Sequence, residues 1–432
     1  MSDAVSTALP YPAPRRPTTT RDRPWSIVLS QENLIGAACF IFFLWASTGL
    51  RALLPAFLAG ERYLWALADF FVVAWFLLYP GQVLAYARRN KILICWGALA
   101  CLSMIWSLKS TPSLYYGVQL FFTILMGFLL CKVQTRARLI QLLFLALLPT
   151  QLLSFYIELA APHMAPGFPG GGAFTHKNVL GSFMLLQIIN SLCLFALGWR
   201  PLLTGIGFVM AAVLLVMSGS ASSLLIAVLI TGGLLPMALL YRSNVNFARA
   251  CIGLACIVAV AAAVLILVSG YDPVKAVLGS VGKDVTLTGR TVLWDFGWQA
   301  FLDRPWLGHG FRAYWESEKT TVLLLRHVMQ QDLQIFHNNF VEVAVAFGVW
   351  GPALLLLGLA AAFHQSVMEF LTTRLLLALW SALFVIFVVS LSFAENPLFN
   401  NHGLLQVLFV IAMAAQDRPT ARQAPATAHR RN

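Results

Sequence analysis

The chain alternates long apolar runs with short polar breaks. The runs fall at about 34–57, 64–79, 92–107, 118–131, 139–160, 179–198, 202–217, 223–241, 250–269, 340–363, 371–391 and 403–415. Most approach the roughly 20 residues that a helix needs to cross a hydrocarbon core about 30 Å thick, where every backbone polar group must be satisfied internally. The pattern predicts an all-α polytopic membrane protein of about twelve transmembrane helices. Residues 1–33 would be a cytoplasmic tail, 34–269 helices one to nine and 270–339 a long polar loop. Residues 340–415 would hold helices ten to twelve, and 416–432 a second cytoplasmic tail.

Basic residues orient the spans. With the N-terminus inside, 18 of the 29 Lys and Arg fall on inner segments, against four (Arg51, Arg62, Lys109 and Lys177) on short outer ones. The other seven lie in 270–339, where the rule does not apply to a translocated domain. Both termini are therefore expected on the cytoplasmic side, with the long loop facing outward. Ordered loops of that length are usually functional. Its tryptophans, Trp294, Trp298, Trp306 and Trp315, suit a segment lying against the membrane interface.

Composition sharpens this picture. Only 11% of residues are charged and 59% are hydrophobic, with mean hydropathy +0.78; soluble domains carry about 25% charge. The net charge of +12 would suit nucleic acid, but its cations sit between apolar runs and at the termini. A lipid bilayer, and no nucleic acid, is the partner this implies. All seven cysteines lie within apolar runs and read as buried hydrophobes. Met1 to Arg23, rich in Pro, Ala, Thr and Arg, reads as a disordered tail without a cleavable signal.

Four polar clusters share the outer face. In Thr286-Leu-Thr-Gly-Arg-Thr-Val-Leu-Trp294, Thr286 or Thr288 can cap a helix from Arg290 to Phe301. Arg290 would then project from its first turn, either as a diphosphate clamp or as an interfacial arginine on lipid phosphate. Pro305-Trp-Leu-Gly-His-Gly-Phe311 reads more as turn punctuation than as a ligand loop. In Phe336-His-Asn-Asn-Phe-Val-Glu342, His337 can take a proton near neutral pH, and Asn338 and Asn339 can cap the next helix or orient a sugar hydroxyl. Glu342 lies a turn further on, where it can hold the imidazole tautomer. The alternative is an ordinary interfacial histidine with asparagine caps. Pro169 to Gly181 puts three glycines before His176, Lys177 and Asn178, and a lysine near a helix N-terminus hints at an anionic partner. In Ser392-Phe-Ala-Glu-Asn396, Glu395 is costly at a membrane boundary unless a cation such as Arg290 or a sugar hydroxyl satisfies it. No P-loop, Rossmann glycine pattern, metal-type Asp-x-Asp or serine elbow occurs.

These residues resemble the O-antigen ligase and polysaccharide polymerase (Wzy_C-like) superfamily of membrane glycosyltransferases, roughly from Leu102 to Leu408. The resemblance rests on Leu102-Ser-Met-Ile-Trp-Ser107 with Pro112-Ser113, Phe174-Thr-His-Lys-Asn178, Leu287 to Trp294, Pro305 to Phe311, and His337 to Glu342 with Gly348-Val-Trp-Gly351. The His-Lys-Asn turn and Glu395-Asn396 look most like ExoQ-type exopolysaccharide polymerases. Many ligases carry a Ser-Arg-Thr-like arginine where this chain has Ala221 within Ser218 to Ser223, with Lys177 a conceivable substitute. The resemblance implies a GT-C-like fold and an undecaprenyl-diphosphate-linked oligosaccharide donor, with no cofactor or metal. It gives Arg290 the diphosphate and His337 the acceptor hydroxyl, with His176, Lys177, Asn178, Thr288, Asn338, Asn339, Glu342 and Glu395 around the substrate. A flippase and chain-length or export proteins would be partners. Polymerase is the leading expectation, a ligase handing glycan to lipid A-core the alternative, and a lipid-linked oligosaccharide transporter a third.

Overall fold

The computed structural model describes residues 31–49, 61–167, 169–241, 290–317, 320–329, 334–373 and 375–414. Most of both tails, the apolar run at 250–269, residues 270–289 and with them Thr288 lie outside the described residues.

The described chain is helical throughout. It begins with α1 (Gln31–Ala46), α2 (Glu61–Leu78), α3 (Pro80–Arg89), α4 (Lys91–Leu102) and α5 (Ser110–Val133). Then come α6 (Arg136–Ala160), α7 (Lys177–Ala196), α8 (Pro201–Met217), α9 (Ala221–Tyr241), α10 (Arg290–Asp303) and α11 (Thr320–Met329). The chain closes with α12 (Asn339–Phe347), α13 (Trp350–Thr373), α14 (Leu376–Leu391) and α15 (Leu404–Ala414). Helices α5, α6, α7 and α13 are long and apolar enough to cross a membrane, and the bent pair α2–α3 makes a fifth if it is one broken span. Helices α1, α4, α8, α14 and α15 are apolar but shorter. The architecture is that of a multi-pass membrane protein.

Local chemistry sets the breaks. Proline disfavours helical backbone in the residue before it, and Tyr79, at φ −135° and ψ 53°, departs from the helix ahead of Pro80. The axes on either side differ by 102°. The apolar run at 340–363, expected as one helix, is two: α12 stops at Gly348 (φ 65°) and α13 starts afresh at Trp350. Asn338 caps α12 by accepting from the N–H groups of Phe340 and Val341.

The main core joins α1, α4, α5, α6, α14 and α15 through Phe43, Trp96, Phe128, Phe144, Phe384 and Phe409, all fully buried. Arg136, counted above among loop cations, is buried instead and pairs with Glu369 while donating to Ser381.

Between α9 and α12 the polar segment builds a cap with its own core, in which Leu293, Tyr314, Trp315, Leu325 and Phe336 pack on Val345 of α12. Trp315 is thus interior rather than interfacial; Trp298 and Trp306 are the exposed members of the tryptophan set. Helix α10 lies close on α12 because position 297 is glycine, where a Cβ would stand 2.3 Å from Val341 Cγ1. The 305–311 turn then seats the cap on the bundle. His309 and Gly310 donate to the Val345 and Ala346 carbonyls, Ser113 Oγ donates to Phe311 O, and Ser103 Oγ accepts from Phe311 N–H. Two of the motifs quoted above, around Ser103 and Gly308, are therefore halves of one joint. Gly308 has φ 67°, and a Cβ there would lie 2.5 Å from the backbone of Ala346 and Phe347. Gly308→Ala is expected to cost about 2 kcal/mol or more, read as earlier heat inactivation of detergent-solubilised protein. An unchanged unfolding temperature would contradict this account of the joint.

Candidate active site

Three segments far apart in sequence meet at Glu395, in the short stretch between α14 and α15. Its Oε1 accepts from Arg290 Nη2 at 2.9 Å and from Asn178 Nδ2 at 3.0 Å, and its Oε2 lies 2.8 Å from His337 Nδ1. Arg290 is the first residue of α10, Asn178 sits in the first turn of α7, and His337 immediately precedes the cap residue of α12. Asn178 is itself oriented, because Ser220 Oγ donates to its Oδ1 at 3.1 Å. Both predicted reactive side chains, Arg290 and His337, therefore share one carboxylate.

Electrostatics keep that carboxylate charged. Burial by itself would raise the Glu395 pKa. The hydrogen bond and charge of His337, then the charge of Arg290 and the Asn178 hydrogen bond, more than offset it and hold the carboxyl below its usual range. An ionised Glu395 has no proton to give, so Nδ1 of a neutral His337 must carry the hydrogen. Nε2 is then the lone-pair nitrogen, the form a general base needs. His337 holds φ 51°, a left-handed backbone that non-glycine residues seldom adopt and that histidine tolerates better than most.

Beside Glu395 opens a cavity of about 850 Å³, large enough for a sugar with its phosphates. Glu395 and Asn178 line it, as do Arg312, Glu342, Asn396, Asn400, Asn401 and His402, whereas Arg290 and His337 are not among its lining residues and are joined to it by their bonds to Glu395. Left-handed backbone gathers here: Thr48, Arg312, Phe399 and His402 line the cavity with φ of 61°, 60°, 52° and 55°. Such strain persists only where surrounding packing holds it, and it clusters at functional sites.

The other expected site residues divide. His176 is the N-cap of α7, its Nδ1 accepting from Asn178 N–H. Burial lowers its pKa, with Glu395 pulling the other way, which preserves the neutral ring that the cap requires. Lys177 is exposed and does not line the cavity. Glu342, expected to steady the imidazole, instead accepts from Trp315 Nε1 and Phe336 N–H; Glu395 takes that part. Asn338 is spent on capping. Asn339 is buried and ties α12 to the Glu395 segment, its N–H donating to Ser392 O and its Oδ1 accepting from Leu398 N–H. Ser220 escaped the sequence reading, which noted its stretch for the missing cation at Ala221 alone. Asp69 in α2 pairs with His402 (3.2 Å), whose ring stacks on Trp65.

Comparison with known proteins follows this geometry. Residues 206–357 match the O-antigen ligase family, a stretch that includes Ser220, Arg290, Arg312 and His337 and ends before Glu395. Over 215 residues the chain is 34% identical to the exopolysaccharide production protein ExoQ of Rhizobium meliloti (strain 1021). That alignment covers 46% of this chain and 47% of ExoQ, so the chain spans about half the length of the curated relative it matches.

Proposed function

We propose that this chain, which matches the O-antigen ligase family over residues 206–357 and ExoQ over 215 residues, is a glycosyltransferase that polymerises undecaprenyl-diphosphate-linked repeat units into exopolysaccharide. The reaction takes place at the periplasmic face of a bacterial inner membrane, with both termini in the cytoplasm. The observation that carries this reading is Glu395 bound at once to Arg290 and His337 beside a sugar-sized cavity.

In this reading an acceptor hydroxyl attacks the anomeric carbon of the lipid-linked glycan. Its proton passes to His337 Nε2 as the new C–O bond forms. The bond from the anomeric carbon to the diphosphate oxygen breaks, and its electron pair leaves on the diphosphate. Arg290 stabilises that developing charge, which is where a fixed cation contributes most. A direct displacement of this kind inverts the anomeric centre. Glu395 holds both side chains and stabilises the imidazolium once it forms. The similarity to ExoQ, an exopolysaccharide production protein, favours polymerase over ligase.

Deleting the gene separates the two. Single repeat units in place of long chains are expected; intact polymer left on the lipid carrier would instead identify a ligase. Complementing the deletion with Arg290→Ala is expected to lower polymer formation by about 10²–10³-fold, with undiminished protein in the membrane. Normal chain length from that variant would remove Arg290 from the reaction.

A further inference from the structure

The charge around Glu395 is incomplete for the donor proposed above. A diester of diphosphate keeps an ionised oxygen on each phosphorus, and Arg290 already meets a carboxylate at 2.9 Å. Among the described residues that line the cavity, Arg312 is the one Lys or Arg. It stands in the turn just beyond the 305–311 joint, half-buried, with its guanidinium 5.7 Å from the centre of the Tyr116 ring. It forms no ion pair among the described residues. Glu342, within its electrostatic reach, already accepts from Trp315 and Phe336. Arg312 also keeps φ 60°, a left-handed backbone that an arginine adopts at a cost. A guanidinium held over a ring at a strained backbone, on the wall of this cavity and with no hydrogen-bond partner among the described residues, is built to receive an anion.

We propose that Arg312 is a second anion-binding residue of this cavity, whose lining it shares with Glu395, and takes the charge of a prenyl diphosphate there. The proposal rests on the donor class given above and extends the site to a residue outside the Glu395 network. Lys177, the other cation considered for such a part, does not line the cavity.

The test is direct binding of farnesyl diphosphate, and separately of glucuronate, to the detergent-purified full chain. Arg312→Gln is expected to weaken farnesyl diphosphate binding about 10- to 100-fold, whereas Arg312→Lys, which keeps the charge, retains most of it. Arg312→Gly also removes the guanidinium but relieves the left-handed backbone. It should lose binding with unfolding temperature equal to or above the parent, which a merely structural role would not produce. Wild-type binding by Arg312→Gln overturns the proposal, as does a parent protein that binds no farnesyl diphosphate. Loss of glucuronate binding alone would overturn it too, by assigning Arg312 to a sugar carboxylate. Because binding is read without turnover, these results stand apart from the polymer assays that decide the proposed function. Long chains persisting in the gene deletion would defeat that function while leaving Arg312-dependent diphosphate binding measurable.

Discussion

A strain carrying His337→Asn is expected to make no long polymer, with turnover of lipid-linked repeat units reduced about 10²–10⁴-fold. Asparagine is the informative replacement because of the backbone. His337 sits at φ 51°, where asparagine is at ease and alanine is strained. The Asn variant should therefore accumulate in the membrane and unfold at the same temperature as the parent. An amide cannot take a proton from a sugar hydroxyl, although it can still donate to Glu395. Alanine at this position is expected to abolish polymer as well, but with some loss of stability that blurs the reading. If the Asn variant makes chains of normal length, His337 only positions other groups and the acceptor base lies elsewhere. The histidine–carboxylate pair to consider would then be His402 with Asp69, of which His402 lines the same cavity.

The contrast between these residues shows what a single sequence makes legible. Apolar runs are a one-dimensional signal, and the described parts of eleven of the twelve fall on helices. Four of these helices, or five with the bent pair, are long and apolar enough to cross a membrane, and the run at 250–269 lies outside the described residues. The break at Gly348 left no such trace, since a glycine inside an apolar run is tolerated in a helix and only its φ reveals the turn. Arg290 as a partner for Glu395 was foreseeable, because a lone carboxylate at a membrane boundary demands a cation. Which carboxylate holds His337 was not. Glu342 is five residues away and was the natural choice, whereas Glu395 is 58 residues on and comes near only through the contact of α12 with the 392–403 segment. Ser220 and Arg312 were missed for the same reason. A serine in a helix cap or an arginine in a turn acquires meaning from what faces it in space. Tryptophans misled in the opposite direction, because composition suits Trp315 equally to an interface and to the core it occupies with Glu342.

Glu395→Gln should be almost as damaging as loss of the histidine, by about 10²–10³-fold in turnover, through a different route. The amide oxygen can still accept from Arg290 and Asn178, while its NH₂ takes the place of the oxygen that faces His337, so the three segments stay assembled. What disappears is the negative charge that fixes the imidazole tautomer and stabilises the imidazolium. The NH₂ facing His337 also selects the wrong tautomer. Stability provides an independent reading. Glu395's carboxyl is held below its ordinary value by His337 and Arg290 against the opposing effect of burial. A group whose pKa is depressed by folding stabilises the folded state above its unfolded pKa, and that contribution is lost as pH falls through the folded value. The parent should therefore exceed the Gln variant in stability by a constant margin from neutral pH down to about 4.3, the ordinary glutamate value. Below that the margin should shrink and vanish, because the protonated parent carries no more charge than the variant. Unfolding curves of the two detergent-purified proteins across this range decide it. A margin that persists at the acid end would mean that Glu395 acts by shape and hydrogen bonding alone. The carboxylate would then hold Arg290 and His337 in place without setting the charge on either.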